Sequence, residues 1–541
     1  MTISLPSEDS SGTVANMVFA QVQRLVPSGF DCRITLDSSL YELGLDSLAR
    51  MEALNCLEEK FGVRFSEDSL FDLETCRDVV EYIEANAAQG SLGQPSAVAA
   101  EASGLGATAG LSSGTVSAGS PVNTAGPADP SNSSPSEKHP VLQGDASRFP
   151  ECLAFQTRLA GAAAAGLQNP FFRSKERVHE ATATIAGRET ITYTSFDYLG
   201  LAGHPRVIAA AKCALDRFGA SASASRLVGG NHAIVRQLDQ ELARFLGTEA
   251  AVVFPSGYGT NASIFGHLFD AQDLILYDEL AHNSIVQGAQ LSKAHRRPFP
   301  HNDYHFLDSL LRDVRSKYRR AVVAMEGVYS MDGDFPDLPR FIEVKRRHQA
   351  LLYVDEAHSV GVMGATGRGI CEHFGLEPSD GDLWMGTISK ALASGGGYLA
   401  GPEVLIQYLQ YTTPAFVFAT AISPANAAAA LEALRIVQEE PDRVARLHQR
   451  CALFLKLAAD SGLDTGPSGG TPVVPVILGD SQRCIRVGAA LLAKGIDAQP
   501  ILYPAVPESK SRIRFFITAN HTEEQICRTV EVLAACLAAS G

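Results

Sequence analysis

One lysine stands in an unusual setting within the segment GTISKALASGGGYLAG, residues 386–401. Lys390 follows a Thr-Ile-Ser run and precedes three consecutive glycines. Such a lysine could be a solvated loop charge, a phosphate clamp or a nucleophile. Two further side chains suited to acid–base chemistry, Asp355 and His358, stand in the segment VDEAHSVG. The elements that carry these three residues decide between the interpretations.

Five short apolar runs are typical of buried parallel strands: AAVVF, DLILY, RAVVAM, ALLYV and DLWM. They alternate with helical patterns, which predicts a doubly wound α/β domain. Each run is followed by a polar segment, in order PSGYGTN, DELAHNS, EGVYSMDG, DEAHSVG and GTISK. Because ligands bind beyond the carboxyl ends of parallel strands, we expect these five segments to converge on one site.

Nucleotide chemistry does not fit these segments. VDEAH resembles a helicase motif, but a phosphate loop needs a glycine followed by lysine, and no lysine in this chain follows a glycine. The glycines of GVMGATGRG also do not match a dinucleotide-binding turn. A pyridoxal 5'-phosphate (PLP) site fits better, since PLP needs a lysine for a Schiff base and a carboxylate for its pyridine nitrogen. Lys390 and Asp355 follow two of the predicted strands.

Eight segments in the same order resemble the α-oxoamine synthases of PLP fold type I. That family includes serine palmitoyltransferase, 8-amino-7-oxononanoate synthase, 5-aminolevulinate synthase and 2-amino-3-ketobutyrate CoA ligase. The resemblance covers roughly residues 150–541. The segments are YLGLAGHP, SASRLVGGNH, FPSGYGTN, DELAHNSI, EGVYSMDGD, VDEAHSVGVMGATGRG, GTISKALASGGGYLAG and LYPAVPESKSRIRF.

The resemblance implies four catalytic residues. Lys390 is implied to bind PLP covalently and to act as the base at Cα, and Asp355 to hold the pyridine nitrogen. His358 is implied to neighbour the ring hydroxyl, and His282 to stack on the ring.

The same resemblance implies further binding residues. Ser256, Gly257 and Tyr258 lie at a strand-to-helix turn that can offer backbone amides to the phosphate. Arg514, with Arg512 as the alternative, is implied to bind the amino-acid carboxylate through its guanidinium. The other implied cofactor contacts are Glu326, Ser330, Thr387 and, from a partner subunit, Thr420.

The first 88 residues differ sharply in charge from the rest. They contain sixteen acidic and six basic residues, a net charge of −10, whereas the whole chain of 541 residues carries −15. Helical patterns occur in VANMVFAQVQRLV, SLARMEALNCLEEKF and DVVEYIEAN. This piece resembles an acyl carrier protein, in which the Asp46-Ser47-Leu48 motif implies 4'-phosphopantetheine on Ser47. A simple N-cap serine is the alternative interpretation.

Composition sets the expected domain plan. Residues 89–147 are rich in Ala, Gly, Ser and Pro and predict a flexible linker between a four-helix carrier, residues 1–88, and a synthase, residues 148–541. Within the synthase we expect a large domain at about 195–430 and a small α+β domain at about 431–541. No apolar stretch is long enough to span a bilayer, the start lacks a signal-peptide pattern, and the cysteines lack metal-site spacing. We therefore expect a cytoplasmic protein without a metal.

The expected activity is a PLP-dependent condensation of an amino acid with a carrier-bound acyl thioester, with loss of CO2, in secondary metabolism. A PLP aminotransferase or retro-aldol lyase acting on a tethered substrate is the alternative, and a non-catalytic docking partner is another. Expected partners are a phosphopantetheinyl transferase, an acyl-loading enzyme and a second copy in a homodimer. The acidic charge argues against nucleic acid.

Overall fold

A computed structural model of the chain describes residues 10–25, 34–36, 38, 40, 53–54, 57, 60–61, 73, 75–87, 146–503 and 505–539. The chain divides into two compact units, residues 1–135 and 136–541. Ser47 and nearly all of the predicted linker lie outside the described residues. The finer domain boundaries given above stay a prediction.

The N-terminal unit contains helices α1 (Ser10–Leu25) and α2 (Cys76–Ala87) among its described residues. Apolar residues four positions apart, Val18 and Val22 in α1 and Val79 and Ile83 in α2, form one buried face on each helix. These faces share a core with Leu40, Leu54, Leu57, Leu73, Cys76 and Val80. Two of the three predicted helical patterns are thereby confirmed, and the third is only partly described.

The second unit is built from helices and strands in alternation. Its helices are α3 (Pro150–Ala164), α4 (Pro205–Phe218), α5 (Ala233–Leu246), α6 (Gly257–Leu268), α7 (Asn283–Leu291), α8 (Tyr304–Val314), α9 (Leu338–His348), α10 (Ile370–His373), α11 (Glu403–Thr412), α12 (Pro414–Val417), α13 (Pro424–Glu439), α14 (Asp442–Asp460), α15 (Ser481–Ala493) and α16 (Glu523–Ala539). None of the described helices is both long and apolar enough to cross a membrane.

In the part of the chain that the structure describes, fourteen strands form three sheets. They are β1 (Arg177–His179), β2 (Thr182–Ile185), β3 (Arg188–Thr192), β4 (Ala250–Phe254), β5 (Asp273–Asp278), β6 (His295–Phe299), β7 (Arg320–Glu326), β8 (Leu351–Asp355), β9 (Leu383–Thr387), β10 (Gly397–Gly401), β11 (Val473–Ile477), β12 (Ile496–Asp497), β13 (Gln499–Ile501) and β14 (Arg512–Phe516). The sheet orders are β1-β2-β3-β12, β4-β10-β9-β8-β7-β5-β6 and β11-β14-β13.

The central seven-stranded sheet confirms the five predicted strands as β4, β5, β7, β8 and β9. The five adjacent strands β6, β5, β7, β8 and β9 pair in parallel. Strand β10 pairs antiparallel with both β9 and β4. Strand β4 therefore runs in the same direction as β9. Strands β6 and β10 were not predicted, because HRRPF is largely polar and GYLAG lies in the glycine-rich segment.

Both faces of the central sheet are buried. Along β4, Val252 and Phe254 belong to one core and Ala251 and Val253 to another, as the twofold alternation of a strand requires. Helices α6, α7 and α11 contribute to the first core, and α4, α5, α8, α9 and α13 to the second. Because helices cover both faces, the binding surface is left to the carboxyl edge of the strands.

The small sheet carries the two candidate arginines. Arg512 and Arg514 lie on β14, which pairs antiparallel with β11 and β13. The predicted strands in TPVVPVILGD and SRIRFFITAN correspond to β11 and β14.

Candidate functional site

A cavity of about 230 Å³ opens at the carboxyl edge of the central sheet. Its walls come from the polar segments that follow β4, β5, β7, β8 and β9, as the strand pattern predicted. The lining residues are Ser256, Gly257, Tyr258, Asn261, His282, Ser284, Glu326, Asp355, Ala357, His358, Met385, Thr387, Ser389 and Lys390. Nine of these were candidate site residues from the sequence.

Lys390 enters the cavity three residues after β9 ends. Burial lowers the pKa of its ammonium to about 8, although the charges of Asp355 and Glu326 oppose this shift. Its Nζ atom lies 5.6 Å from the centre of the Phe196 ring. A lysine with this pKa has an appreciable neutral fraction near neutral pH, so its amine can act as a nucleophile or a base.

Asp355, the last residue of β8, is held by two donors. The side-chain amide of Asn261 donates to Oδ2 at 2.7 Å, and the backbone N–H of Ala357 donates to Oδ1 at 2.9 Å. The Asn261 amide is itself oriented, because its Oδ1 accepts a hydrogen bond from the Tyr353 hydroxyl at 2.7 Å. The carboxylate is therefore fixed in position at the floor of the cavity.

Asn261 also connects Asp355 to His282. Its Nδ2 donates to Ser284 Oγ at 2.9 Å, and this oxygen lies 2.7 Å from His282 Nδ1. The backbone N–H of Ser284 points at the same ring nitrogen, at 3.3 Å. His282 Nδ1 therefore accepts, which leaves the proton on Nε2. Burial lowers the pKa of His282, and the nearby Lys390 charge adds to that shift while Asp355 opposes it. The ring is favoured in its neutral form.

Glu326 ends β7 and is 2% exposed. Burial raises the pKa of its carboxyl group well above the usual value, and the charge of Asp355 raises it further. Its Oε1 atom has no hydrogen-bond partner among the described residues. Glu326 lines the cavity, and a buried polar atom without a partner at such a place is suited to a polar ligand group.

The start of α6 forms the corner of the cavity. Ser256 is the N-cap, and its Oγ accepts from the backbone N–H of Gly259 at 3.2 Å. A Cβ atom added to Gly257 would lie 3.1 Å from Thr387 Oγ1, so a glycine leaves space at the helix N-terminus. Tyr258 is half-exposed, and its hydroxyl donates to Asn283 Oδ1 at 3.2 Å. Backbone N–H groups at such a helix start form an anion site.

His358 is a buried residue in the wall of the cavity, where its Nδ1 lies 2.6 Å from the Tyr198 hydroxyl. Burial, reinforced by the charges of Lys390 and Arg514, lowers the pKa of His358 well below its usual value. The ring therefore stays neutral. The sequence indicated Tyr198 only as part of the YLGLAGHP segment. Its contact with His358 could not be predicted, because the two residues are 160 positions apart.

Three candidate residues do not line the cavity: Ser330, Thr420 and Arg514. The Arg514 guanidinium donates to the Ser330 carbonyl at 2.8 Å and lies 4.6 Å from the Phe516 ring. Thr420 is exposed. The alternative arginine, Arg512, is paired with Asp332 at 2.5 Å.

Two of the lining residues, Asn261 and Ser284, were missed as functional candidates. Both stand inside the polar segments quoted for their position after a strand, PSGYGTN and DELAHNS. Their position after a strand could have identified them as candidates. Their roles depend on hydrogen bonds between segments that are distant in the sequence, which the sequence does not show. The attachment candidate Ser47 lies outside the described residues.

Comparisons with known proteins match both parts of the chain. Residues 188–533 match the family described as aminotransferase class I and II, and residues 29–83 match the family described as phosphopantetheine attachment site. An 8-amino-7-oxononanoate synthase from Symbiobacterium thermophilum is 40% identical over 376 residues, which are 70% of this chain and 95% of the relative.

Solved structures are similar over the second unit. A serine palmitoyltransferase from Sphingomonas wittichii is 30% identical with a TM-score of 0.70, covering 74% of this chain and 99% of that protein. A variant of serine palmitoyltransferase from S. paucimobilis, with PLP and myriocin bound, is 30% identical with a TM-score of 0.70, covering 73% and 98%.

Proposed function

Because this chain belongs to the α-oxoamine synthases, within the aminotransferase class I and II family, we propose that it is a PLP-dependent acyltransferase. It condenses an amino acid with an acyl thioester, releases CO2 and the free thiol, and yields an α-amino ketone. The observation that carries this proposal is the cavity, which is lined by the partly buried Lys390 amine, the fixed Asp355 carboxylate and a neutral His282.

The residues of the cavity fit PLP. Lys390 would hold it covalently, Asp355 would hold its pyridine nitrogen, and His282 would lie against its ring. The space at Gly257 and the start of α6 suits a phosphate, and Glu326, whose Oε1 has no partner among the described residues, lines the same cavity. When bound, PLP supplies an electron sink for the bonds at the amino acid's Cα atom. Ser330, Thr387 and His358 complete the proposed surroundings.

Two residues of the chain act on the amino acid, and a third, Asp355, would hold the pyridine nitrogen of PLP. The Lys390 amine, with a pKa near 8, takes the proton from Cα and later returns one. Arg514 binds the carboxylate, since it has no ion-pair partner among the described residues, whereas Arg512 is committed to Asp332. The Asp355 carboxylate stays in place because Asn261 and Ala357 donate to it.

The acyl thioester arrives on the N-terminal unit. Ser47, in the region matched as a phosphopantetheine attachment site, carries the 4'-phosphopantetheine arm. A phosphopantetheinyl transferase adds the arm and an acyl-loading enzyme charges it. The four-helix form of this carrier, a separate small C-terminal domain, a cytoplasmic location and a homodimer in which Thr420 reaches the partner's cofactor are parts of the same proposal.

Mass spectrometry of products tests this function. The purified, phosphopantetheinylated protein is incubated with PLP, a mixture of amino acids and a series of acyl thioesters. An α-amino ketone that retains the acyl carbons, formed with one CO2 per turnover, is the expected product. A keto acid and an aminated cofactor would instead identify an aminotransferase, and an aldehyde product would identify a retro-aldol lyase.

Covalent uptake of PLP should depend on pH in the way the Lys390 pKa requires. The neutral amine is the reactive form, so the uptake rate of the apoprotein should rise about tenfold per pH unit below 8 and level off above it. Stopped-flow absorbance between pH 6 and 10, using free PLP with a model amine as the reference, measures this curve. A rate that keeps rising to the pH where ordinary lysines titrate would contradict the lowered pKa.

Asp355→Asn should retain PLP but slow exchange of the Cα hydrogen with solvent by about a hundredfold or more, since a neutral amide cannot stabilise a protonated pyridine. Exchange is followed by NMR of the amino acid in D2O. The matched control is Asp382→Asn, which makes the same change just before β9, at the amino end of the strand next to β8. Equal exchange rates in Asp355→Asn and wild type would remove this role from Asp355.

A further inference from the structure

The turn formed by residues 329–334 is closed on itself and lies next to the candidate arginines. The backbone N–H of Gly333 donates to the Tyr329 carbonyl, and the N–H of Tyr329 donates to the Asp334 carbonyl, both at 2.9 Å. Gly333 has a φ of +72°, and a Cβ atom there would lie 1.9 Å from the Val473 carbonyl oxygen. The turn is therefore a compact unit, and its residues are expected to move together.

One side of this turn receives the arginines of β14. The Arg514 guanidinium donates to the Ser330 carbonyl at 2.8 Å and approaches the Met331 sulfur at 3.2 Å. Arg512 donates to the Met331 carbonyl at 3.1 Å and pairs with Asp332. The Nε atom of Arg514 is buried and has no partner among the described residues. The direction of the Arg514 guanidinium thus depends on where the turn lies.

The other side of the turn is held by His301. Its Nε2 donates to Asp334 Oδ2 at 2.7 Å, and its Nδ1 donates to Asp278 Oδ1 at 2.9 Å. Asp278 ends β5 and is fully buried. Asn302 supports the bridge, donating its side-chain amide to Asp334 Oδ2 at 3.0 Å and its backbone N–H to Asp278 Oδ2 at 2.8 Å. His301 therefore ties the turn to the central sheet.

The bridge requires a charged imidazole. Both ring nitrogens face carboxylate oxygens, so both must carry a proton. Although burial lowers it, hydrogen bonds to Asp278 and Asp334 raise the pKa of His301 to about 10. Glu279 accepts from the His301 backbone N–H at 2.9 Å, and the Tyr329 ring packs edge-on at 4.4 Å. The charge-assisted bonds persist throughout the physiological pH range.

We propose that His301 is a positioning residue for amino-acid binding, which holds the 329–334 turn so that Arg514 points at the substrate carboxylate. This inference rests on the proposed function, in which Arg514 binds that carboxylate. Thr471 also anchors the turn, donating to the Gly333 carbonyl at 2.8 Å, so loss of His301 loosens the turn without releasing it.

His301→Gln tests the proposal, because glutamine is neutral and has its N–H donors on a single nitrogen, so it cannot replace the two charge-assisted bonds made by separate ring nitrogens. The dissociation constant of the amino acid should rise about tenfold, the scale of a lost hydrogen bond to a charged group. The probe is whichever of glycine, L-alanine or L-serine gives the largest spectral change with the PLP-loaded protein. The dissociation constant of PLP itself should not change. His305→Gln, the same substitution at an exposed histidine, should leave both constants unchanged.

A double-mutant cycle with Arg514→Ala separates positioning from general destabilisation. His301→Gln should weaken amino-acid binding when Arg514 is present and have no further effect when it is absent. An equal effect in both backgrounds, or no effect in either, would overturn the role of His301. If Arg514→Ala alone leaves amino-acid binding intact, the carboxylate assignment in the proposed function is wrong instead.

Hydrogen exchange gives a readout that needs no cofactor. In the apoprotein, His301→Gln should speed amide exchange at the Tyr329 and Gly333 N–H groups, while exchange in β5 and β8 stays at the wild-type rate. Asp334→Asn removes the same ion pair from the other side, and should show the same pattern with a smaller rise in the amino-acid dissociation constant. Unchanged exchange in the turn in both variants would contradict the bridge.

Discussion

Lys390→Ala should abolish the fixation of PLP to the chain by borohydride and lower turnover by at least about a thousandfold, the scale expected when a covalent nucleophile is removed. The alanine cannot form the covalent link, and no other lysine among the described residues lines the cavity. Intact-mass analysis after borohydride treatment measures the link, and product formation measures turnover.

The fold of this variant should remain intact. Because the pKa of Lys390 is lowered to about 8, the folded chain binds that proton less tightly than the unfolded chain does. At pH 7, below both pKa values, the charged lysine therefore disfavours folding, and the apoprotein of Lys390→Ala should melt no lower than wild type. Lys293→Ala, an exposed lysine, is the matched control and should retain full PLP fixation. Unchanged PLP fixation in Lys390→Ala would remove the central residue from the proposed site.

Ser47→Ala should remove the phosphopantetheine mass increment and abolish product formation from thioesters loaded onto the carrier. The serine hydroxyl is the proposed attachment point, and its region matches the phosphopantetheine attachment site family. PLP binding and the spectral change with amino acid should be preserved, because the residues proposed for them all lie beyond residue 255. The two activities should therefore separate cleanly in one variant.

The control for this variant is Ser39→Ala, at a serine outside the Asp-Ser-Leu motif. It should accept phosphopantetheine and retain turnover. The predicted linker composition implies a root-mean-square span of about 40 Å. Tethering gives effective concentrations up to the order of millimolar for short linkers, and lower ones at this length. If Ser47→Ala forms product from free acyl-CoA as fast as the modified wild type, delivery by the attached carrier is not required.

Much of the site was predictable because parallel strands end at one edge. Apolar runs followed by polar segments identified β4, β5, β7, β8 and β9, and this alone brings Lys390 and Asp355 to the same cavity. The resemblance of ordered segments then implied PLP chemistry. Strand β10 was not predicted, because its glycines are typical of a loop. Its strand conformation is stabilised by antiparallel pairing with β4 and β9, which the local sequence does not reveal.

The sequence by itself determined the residue types, the strand order along the chain and the edge at which the chemistry lies. Only the tertiary structure decided which side chains pair. Asn261 reaches Asp355 across 94 residues, and His301 reaches Asp334 across 33. Arg512 and Arg514 stand on the same face of β14, so periodicity cannot distinguish them. Their difference comes from Asp332, which pairs with Arg512 and leaves Arg514 without a carboxylate among the described residues. Hydrogen bonds and ion pairs form between atoms that are close in space, and local sequence patterns do not contain that information.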